Sequence, residues 1–190
     1  MLNRNFTVGL TSGILAFCMT LSSQAMAAFT AEDAAKLDAD ADATVAKFEA
    51  ETKGAAEVLA TAKGILVCPK IIKGGLGIGA EGGKCVLTSG ADQRLYYSST
   101  GLKAGLIAGV ESHAMILALN TDEALAKFTS GKREWEFGVD ASVAVAKIGV
   151  GGDLDTTNLK KDIVSFIIGS KGLIGDLTWE GSRFKKLDVK

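Results

Sequence analysis

This 190-residue chain holds one proline, one histidine and three cysteines, so it is poor in strand breakers, imidazole ligands and thiol nucleophiles. A lone histidine, His113, cannot build a multi-histidine metal site, and no two cysteines stand at Cys-x-x-Cys spacing. His113 also lies within an apolar run, where a hydrogen-bonded structural histidine is commoner than a general base. No carboxylate pair stands out as a catalytic dyad. These gaps argue against an enzyme and against a resident metal or cofactor. A basic excess is missing too: 21 Lys and Arg face 22 Asp and Glu, which argues against a general nucleic-acid binder.

What the chain does have begins at its first residues. Arg4 precedes a mostly apolar run from Phe6 to Leu21, and Ala25-Met26-Ala27 supplies the small-x-small pattern of a signal-peptide cleavage site. Thr7, Thr11 and Ser12 interrupt a run already short for a membrane span. Cys18 follows the bulky Phe17, which disfavours a lipoprotein. The expectation is a signal peptide over residues 1–27 and an exported chain, periplasmic or secreted, of one domain from Ala28 to Lys190. Loss of Arg4 would leave 20 basic residues against 22 acidic. Within the exported part no apolar segment reaches transmembrane length without charge.

Export changes how the remaining cysteines read. Cys68 and Cys85 sit in strand-like runs on either side of a glycine-rich turn, in a disulfide-permissive compartment. They could face each other across a hairpin and bond, or stay as two buried free thiols.

Residues 28–63 read as helical. Ala34, Leu37, Ala41, Val45 and Phe48 recur at three- and four-residue spacing, Thr30 is a candidate N-cap, and Gly54 marks a break before a second short helix. From residue 64 the period becomes two. Ile65 to Cys68 reads as a short strand ended by Pro69, and Lys84–Thr88 and Arg94–Ser98 as two more around a turn. Leu102 to Leu119 reads as two strands, and Asn120 to Glu123 as a capping box opening an inserted helix. Alternation then resumes at 135–148, 163–168, 173–179 and 184–189. Helices first and strands after predict an α+β fold on a mostly antiparallel sheet. The 23 glycines predict strong coiling or barrel-like closure.

Three motif-like strings carry no chemistry. Gly77-Ile78-Gly79-Ala80-Glu81-Gly82 spells G-x-G-x-x-G but leads into a strand, so no helix N-terminus meets a pyrophosphate. Gly101, Gly105 and Gly109 are spaced by four, yet Lys103, Glu111 and His113 rule against a membrane helix. Asp153-Leu154-Asp155 starts like a calcium loop but lacks the later glycine and acid, with Asn158 and Val164 in their places.

Binding is left. Lys63, Lys70 and Lys73 lie in a stretch without acids between Glu57 and Glu81, and Arg183, Lys185 and Lys186 crowd the C-terminus. Together they could form a basic face able to hold phosphate headgroups. The helical segment opposes that reading: from Thr30 to Lys63 it carries eight acids against four lysines.

Ala62-Lys63-Gly64-Ile65-Leu66-Val67-Cys68-Pro69 and Lys73-Gly74-Gly75-Leu76-Gly77-Ile78-Gly79 resemble the SYLF domain family. So do Gly138-Val139-Asp140-Ala141-Ser142-Val143-Ala144, Ser170-Lys171-Gly172-Leu173-Ile174-Gly175 and Glu180-Gly181-Ser182, in family order. The resemblance implies an α+β lipid-binding module without a catalytic motif. Its eukaryotic members are phosphoinositide-binding and in some cases actin-binding. Actin is not an expected partner in a bacterial exported space. The family often has an aromatic residue where Cys68 stands and glycine near Cys85, and this paired departure favours the disulfide. Phe166 occupies a usual tyrosine position, and the acidic N-terminal helix departs from the basic one of eukaryotic relatives. The resulting expectation is binding of anionic phospholipid through Lys70 and Lys73, with Lys63, Arg183, Lys185 and Lys186 in support. The alternative is a non-enzymatic structural or protein-interaction module of the cell envelope.

Overall fold

A computed structural model describes residues 28–90, 93–130, 134–136, 143–146, 154, 159–169, 172–173 and 182–190. The expected signal peptide and most of the 135–148, 153–158 and 173–179 segments lie outside these residues.

Helix α1 (Ala31–Glu51) starts at Thr30, whose hydroxyl accepts from the Asp33 N–H while the Asp33 carboxylate accepts from the Thr30 N–H. This reciprocal box satisfies two donors that a helix start leaves open. Helix α2 (Ala55–Thr61) follows Gly54, whose φ of +84° lets the chain turn between the two. Ala34, Leu37, Ala41 and Phe48 are buried, so the apolar stripe of α1 is the face that docks. No described helix is long and apolar enough to cross a membrane, a statement that leaves strands aside.

The sheet is dominated by two strands of unusual length, β1 (Gly64–Ser89) and β2 (Gln93–Leu119), paired antiparallel almost end to end. They replace the shorter strands expected here. Pro69 does not end β1. It falls where the register shifts between Cys68 and Ile71, a bulge at which a missing N–H is tolerated. Likewise 102–119 belongs to one continuous strand.

Strand β1 doubles back on itself. Cys68 and Cys85 are 17 residues apart, about 56 Å along an extended strand. Their Cα atoms are 4.1 Å apart and their sulfurs are bonded. The corner is Gly75, where a Cβ would collide with the backbone of Ile78 and Gly79. Gly83 is crowded in the same way against the Lys70 carbonyl, so the two halves of the strand touch at their backbones. Because β2 follows β1 in register, it folds back with it.

The other strands line the outer edge of β2. Strand β7 (Arg183–Leu187) pairs with residues 96–100 and β5 (Ile163–Gly169) with 114–119. Strand β3 (Glu134–Glu136) extends the sheet beyond β7. Strands β4 (Ala144–Val145) and β6 (Gly172–Leu173) both pair with β5, β4 in parallel. The described strands form an open, mostly antiparallel sheet, and the barrel-like closure expected from the glycine content is not seen among them.

Away from the far end of the β1–β2 pair, both sheet faces carry a buried core. Leu66, Cys68, Cys85, Leu87, Met115 and Leu117 pack on one side with Ala124 and Phe128 of α3 (Asp122–Thr129). Val67, Val86, Ile116, Val164 and Phe166 pack on the other with Phe48 and Leu59 of α1 and α2. The Phe48 and Phe166 rings stand 4.9 Å apart at a tilt, a favourable geometry for an aromatic pair. Coverage of both faces explains why Ile163 to Ile168 of β5 are all buried and, Ser165 apart, all apolar. The cap of α3 is Thr121, not Asn120: the Thr121 hydroxyl accepts from the Ala124 N–H. Asn120 instead donates its amide to the carbonyls of Leu159 and Lys161, tying the helix start to the approach to β5.

Reduction of the Cys68–Cys85 bond should lower unfolding free energy by about 3 kcal/mol, the loop-closure value for this separation. Denaturant titrations with and without reductant measure the loss. Two free thiols in the unfolded, unreduced chain would contradict the bond.

Candidate functional site

The docking of α1 onto the sheet decides which surfaces remain open. Arg94, at the start of β2, donates through Nη2 to both carboxylate oxygens of Asp42, at 2.8 and 3.0 Å. Its Nη1 stands 3.1 Å from Asp38 Oδ1, and the Tyr96 hydroxyl donates to Asp38 Oδ2 at 3.0 Å. The hydrogen bonding from Asp42, aided by Asp38, raises the Arg94 pKa above its already high ordinary value. Burial first and Asp38 second raise that of Tyr96. Near the N-terminus of α1, Lys84 Nζ lies 4.0 Å from Asp33 Oδ1 and 4.8 Å from the Phe29 ring centre. Much of the acidic charge of α1 is thus directed at the sheet.

Beside the other end of α1 lies a cleft of about 310 Å³. Thr44 and Lys47, one helical turn apart on α1, form one wall. Pro69 and Lys70, at the bulge of β1, form another. Ser112, His113 and Ala114 of β2 and the end of β5 at Ile168 and Gly169 close it. Lys47 is half exposed, with its ammonium 3.9 Å from Glu51. Lys70 is exposed, and His113 is buried in the wall. The Thr44 hydroxyl donates to the Asp40 carbonyl at 2.7 Å. The two ammonium groups and the Ser112 hydroxyl around an open cavity of this size can hold a phosphate, each donor reaching a different oxygen.

Two other clefts have a different character. One of about 320 Å³ runs between α1 and the sheet and includes Asp42, Glu49 and Arg94. One of about 550 Å³ is lined by Ala80, Glu81, Thr100, Gly101, Leu102, Glu136 and Arg183. There Glu81 is buried and accepts from the Ser182 hydroxyl at 2.9 Å, while Arg183 pairs with Glu136 at 3.0 Å. Acids outnumber bases in each, so neither favours an anion.

The six basic residues singled out by sequence do not share one face. Lys70 alone enters the cleft. Lys73 is half-buried and stands opposite Glu111 in the β1–β2 ladder. Lys63 lies just before the far end of β1, its ammonium 4.0 Å from Asp122. On β7, Phe184 is buried between Arg183 and Lys185, so the pleat puts those two on one face and Lys186 on the other. The cysteine pair is where the hairpin reading put it, bonded and wholly buried.

Residues 100–188 match the family model Ysc84, described as Las17-binding protein actin regulator. This segment, just under half of the chain, is a match to the SYLF domain family. The matched SYLF segment runs from the middle of β2 through α3 to the end of β7. It contains the family-like strings at 138–144, 170–175 and 180–182, while those at 62–79 precede it. No curated protein matches the chain in a sequence search. Of the cleft residues, Ser112, His113, Ala114, Ile168 and Gly169 come from the matched SYLF segment, whereas Thr44, Lys47, Pro69 and Lys70 come from outside it.

Sequence reasoning missed Lys47 and Thr44. Their spacing places them on one edge of α1, but only the docked helix shows that this edge meets Lys70. Arg94→Ala should destabilise the fold by about 1–2 kcal/mol by leaving the partly buried Asp38 carboxylate without its cation. Asp42→Ala should cost less, because Asp42 is 64% exposed. Urea midpoints of the two variants check the order.

Proposed function

We propose that this SYLF-like protein is exported and binds anionic phospholipid headgroups in the cleft between α1 and the ribbon, without catalysing a reaction. The observation that carries the reading is the convergence of Lys47, Lys70 and Ser112 on one open cavity. Arg4, the apolar run from Phe6 to Leu21 and Ala25-Met26-Ala27 support export. A phosphate diester offers a delocalised negative charge and several acceptor oxygens, which suits ammonium and hydroxyl donors placed around it. The family's acidic-helix departure loses its force as an objection here, since Asp33, Asp38 and Asp42 lie against cations of the sheet.

A second reading is a protein-interaction module of the cell envelope. The family model's description, naming Las17 binding and actin regulation, favours a protein partner of some kind. The compartment we propose argues against actin itself.

Co-sedimentation with phosphatidylcholine vesicles, with and without phosphatidylglycerol, at low and high salt separates the two. The expected result is binding to the anionic vesicles alone that weakens with salt. Each lysine near an anionic surface is worth about 1 kcal/mol, so Lys47→Gln and Lys70→Gln should each weaken binding roughly fivefold, and together about 30-fold. Lys186→Gln, on the other sheet face, should change little. Absence of binding to any vesicle would favour the protein-interaction reading.

A further inference from the structure

The ribbon formed by β1 and β2 carries an aliphatic face at its tip that nothing in the described structure covers. Leu76, Leu102, Val110 and Ile78 are 84%, 79%, 78% and 76% exposed, and Ile72 is half exposed. Scattered exposed aliphatics are ordinary on a protein surface, but five on one short ribbon are not. They also share a face. Even-numbered positions of β2, such as Tyr96, Ile116 and Ala118, pack against the α1–α2 side. The pleat carries that side to Leu102 and Val110. The ladder carries it across to β1, where Ala80 is opposite Leu102, Gly74 opposite Val110 and Ala108 opposite Leu76. Lys73 and Glu111, directly paired, fall on the reverse side. Within β2, residues 101–113 have no second strand partner among the described residues, so the tip projects from the sheet.

We infer that this aliphatic face inserts into the acyl region of the same membrane whose headgroups occupy the cleft. The inference rests on the headgroup reading and extends it from a charge contact to an insertion. Continuity supports it. Two residues from Lys70 along β1 is Ile72, and two from Ser112 along β2 is Val110, each step about 7 Å. That is the depth separating a lipid phosphate from the first part of its acyl chains, and it matches how deeply interfacial elements sit. A second copy of the chain fits the patch less well. Self-pairing through it would bring the Lys47–Lys70 clefts of the two copies toward each other, an arrangement of like charges. An anionic bilayer satisfies the patch and the cleft at once.

The test uses the purified chain with an environment-sensitive dye on Leu76→Cys, the native disulfide left intact, and the phosphatidylcholine and phosphatidylglycerol vesicles above. The expected result is a blue shift of the dye on vesicle binding. Leu76→Glu and Leu102→Glu should each lose at least tenfold in affinity, a loss that persists at high salt where the Lys70→Gln effect fades. Both leucines are exposed, so unchanged circular dichroism spectra should show the variants folded; Leu76→Ser, a milder change, repeats the comparison. Vesicle binding that survives both glutamates with an unshifted dye would overturn the insertion while leaving the headgroup reading intact. No binding by the unsubstituted chain would overturn both. A dimer in sedimentation that Leu76→Glu abolishes, with no blue shift on vesicles, would overturn insertion in favour of self-association.

Discussion

Everything else in this structure depends on β1 folding back on itself. A two-stranded ribbon of such length has no independent stability, because each face lacks a partner layer. Doubling the ribbon brings its two halves together at the Cys68–Cys85 bond and where Gly83 meets the Lys70 carbonyl. The result is a sheet wide enough for α1 and α2 on one face and α3 on the other. The fold-back makes two demands on the sequence. Gly75 and Gly83 must lack side chains where backbones meet, and something must hold the halves together against the entropy of a closed loop. The buried Cys68–Cys85 bond meets the second demand at the centre of one core.

Electrostatics then fixes which surface of that sheet stays open. A helix such as α1, with seven acids against two lysines, looks like a solvated rod, yet its acids are not all spent on water. Arg94 gathers Asp38 and Asp42, with Tyr96 holding the far oxygen of Asp38. This arrangement is worth more than the exposed contact of Lys84 with Asp33, since Arg94 is largely shielded and spans two carboxylates, Nη2 on both oxygens of Asp42 and Nη1 beside Asp38. Docked in this way, α1 covers the body of the sheet and brings Lys47 to Lys70. It does not cover the ribbon tip.

The sequence showed the helical half of this plainly. The stripe of Ala34, Leu37, Ala41 and Phe48, the Thr30 cap and the Gly54 break all depend on contacts within a few residues, and they stand as read. The cysteine pairing was legible as one of two outcomes. The strands were read too short, because Pro69 and the glycines look like ends when they are bulges and corners within a long ribbon. Thr121 was overlooked as a cap since Asn120 has the better local spacing, and only the contact with Leu159 and Lys161 takes Asn120 elsewhere. The candidate site was legible in Lys70 alone. Lys63, Arg183, Lys185 and Lys186 are neighbours in composition, but strand alternation and long-range pairing distribute them.

The charge balance bears on how such a protein would hold a membrane. At a net charge of −1 the whole molecule gains nothing from long-range attraction to an anionic surface. Two cleft lysines at about 1 kcal/mol each give a contact that physiological salt weakens further. Electrostatics alone would therefore make a transient binder. Aliphatic side chains work differently: their transfer from water is indifferent to salt, and each can contribute about as much as a lysine or more. A surface that combines both needs them within one lipid's length of each other, and the bulge at Pro69 does that here. By shifting the register between Cys68 and Ile71, it puts Lys70 at the cleft while Ile72 and Leu76 continue on the face that meets Val110. The proline that looked like the end of a strand is thus where the α1 side of the ribbon passes from core to exposed, while Ile71 on the reverse side stays buried.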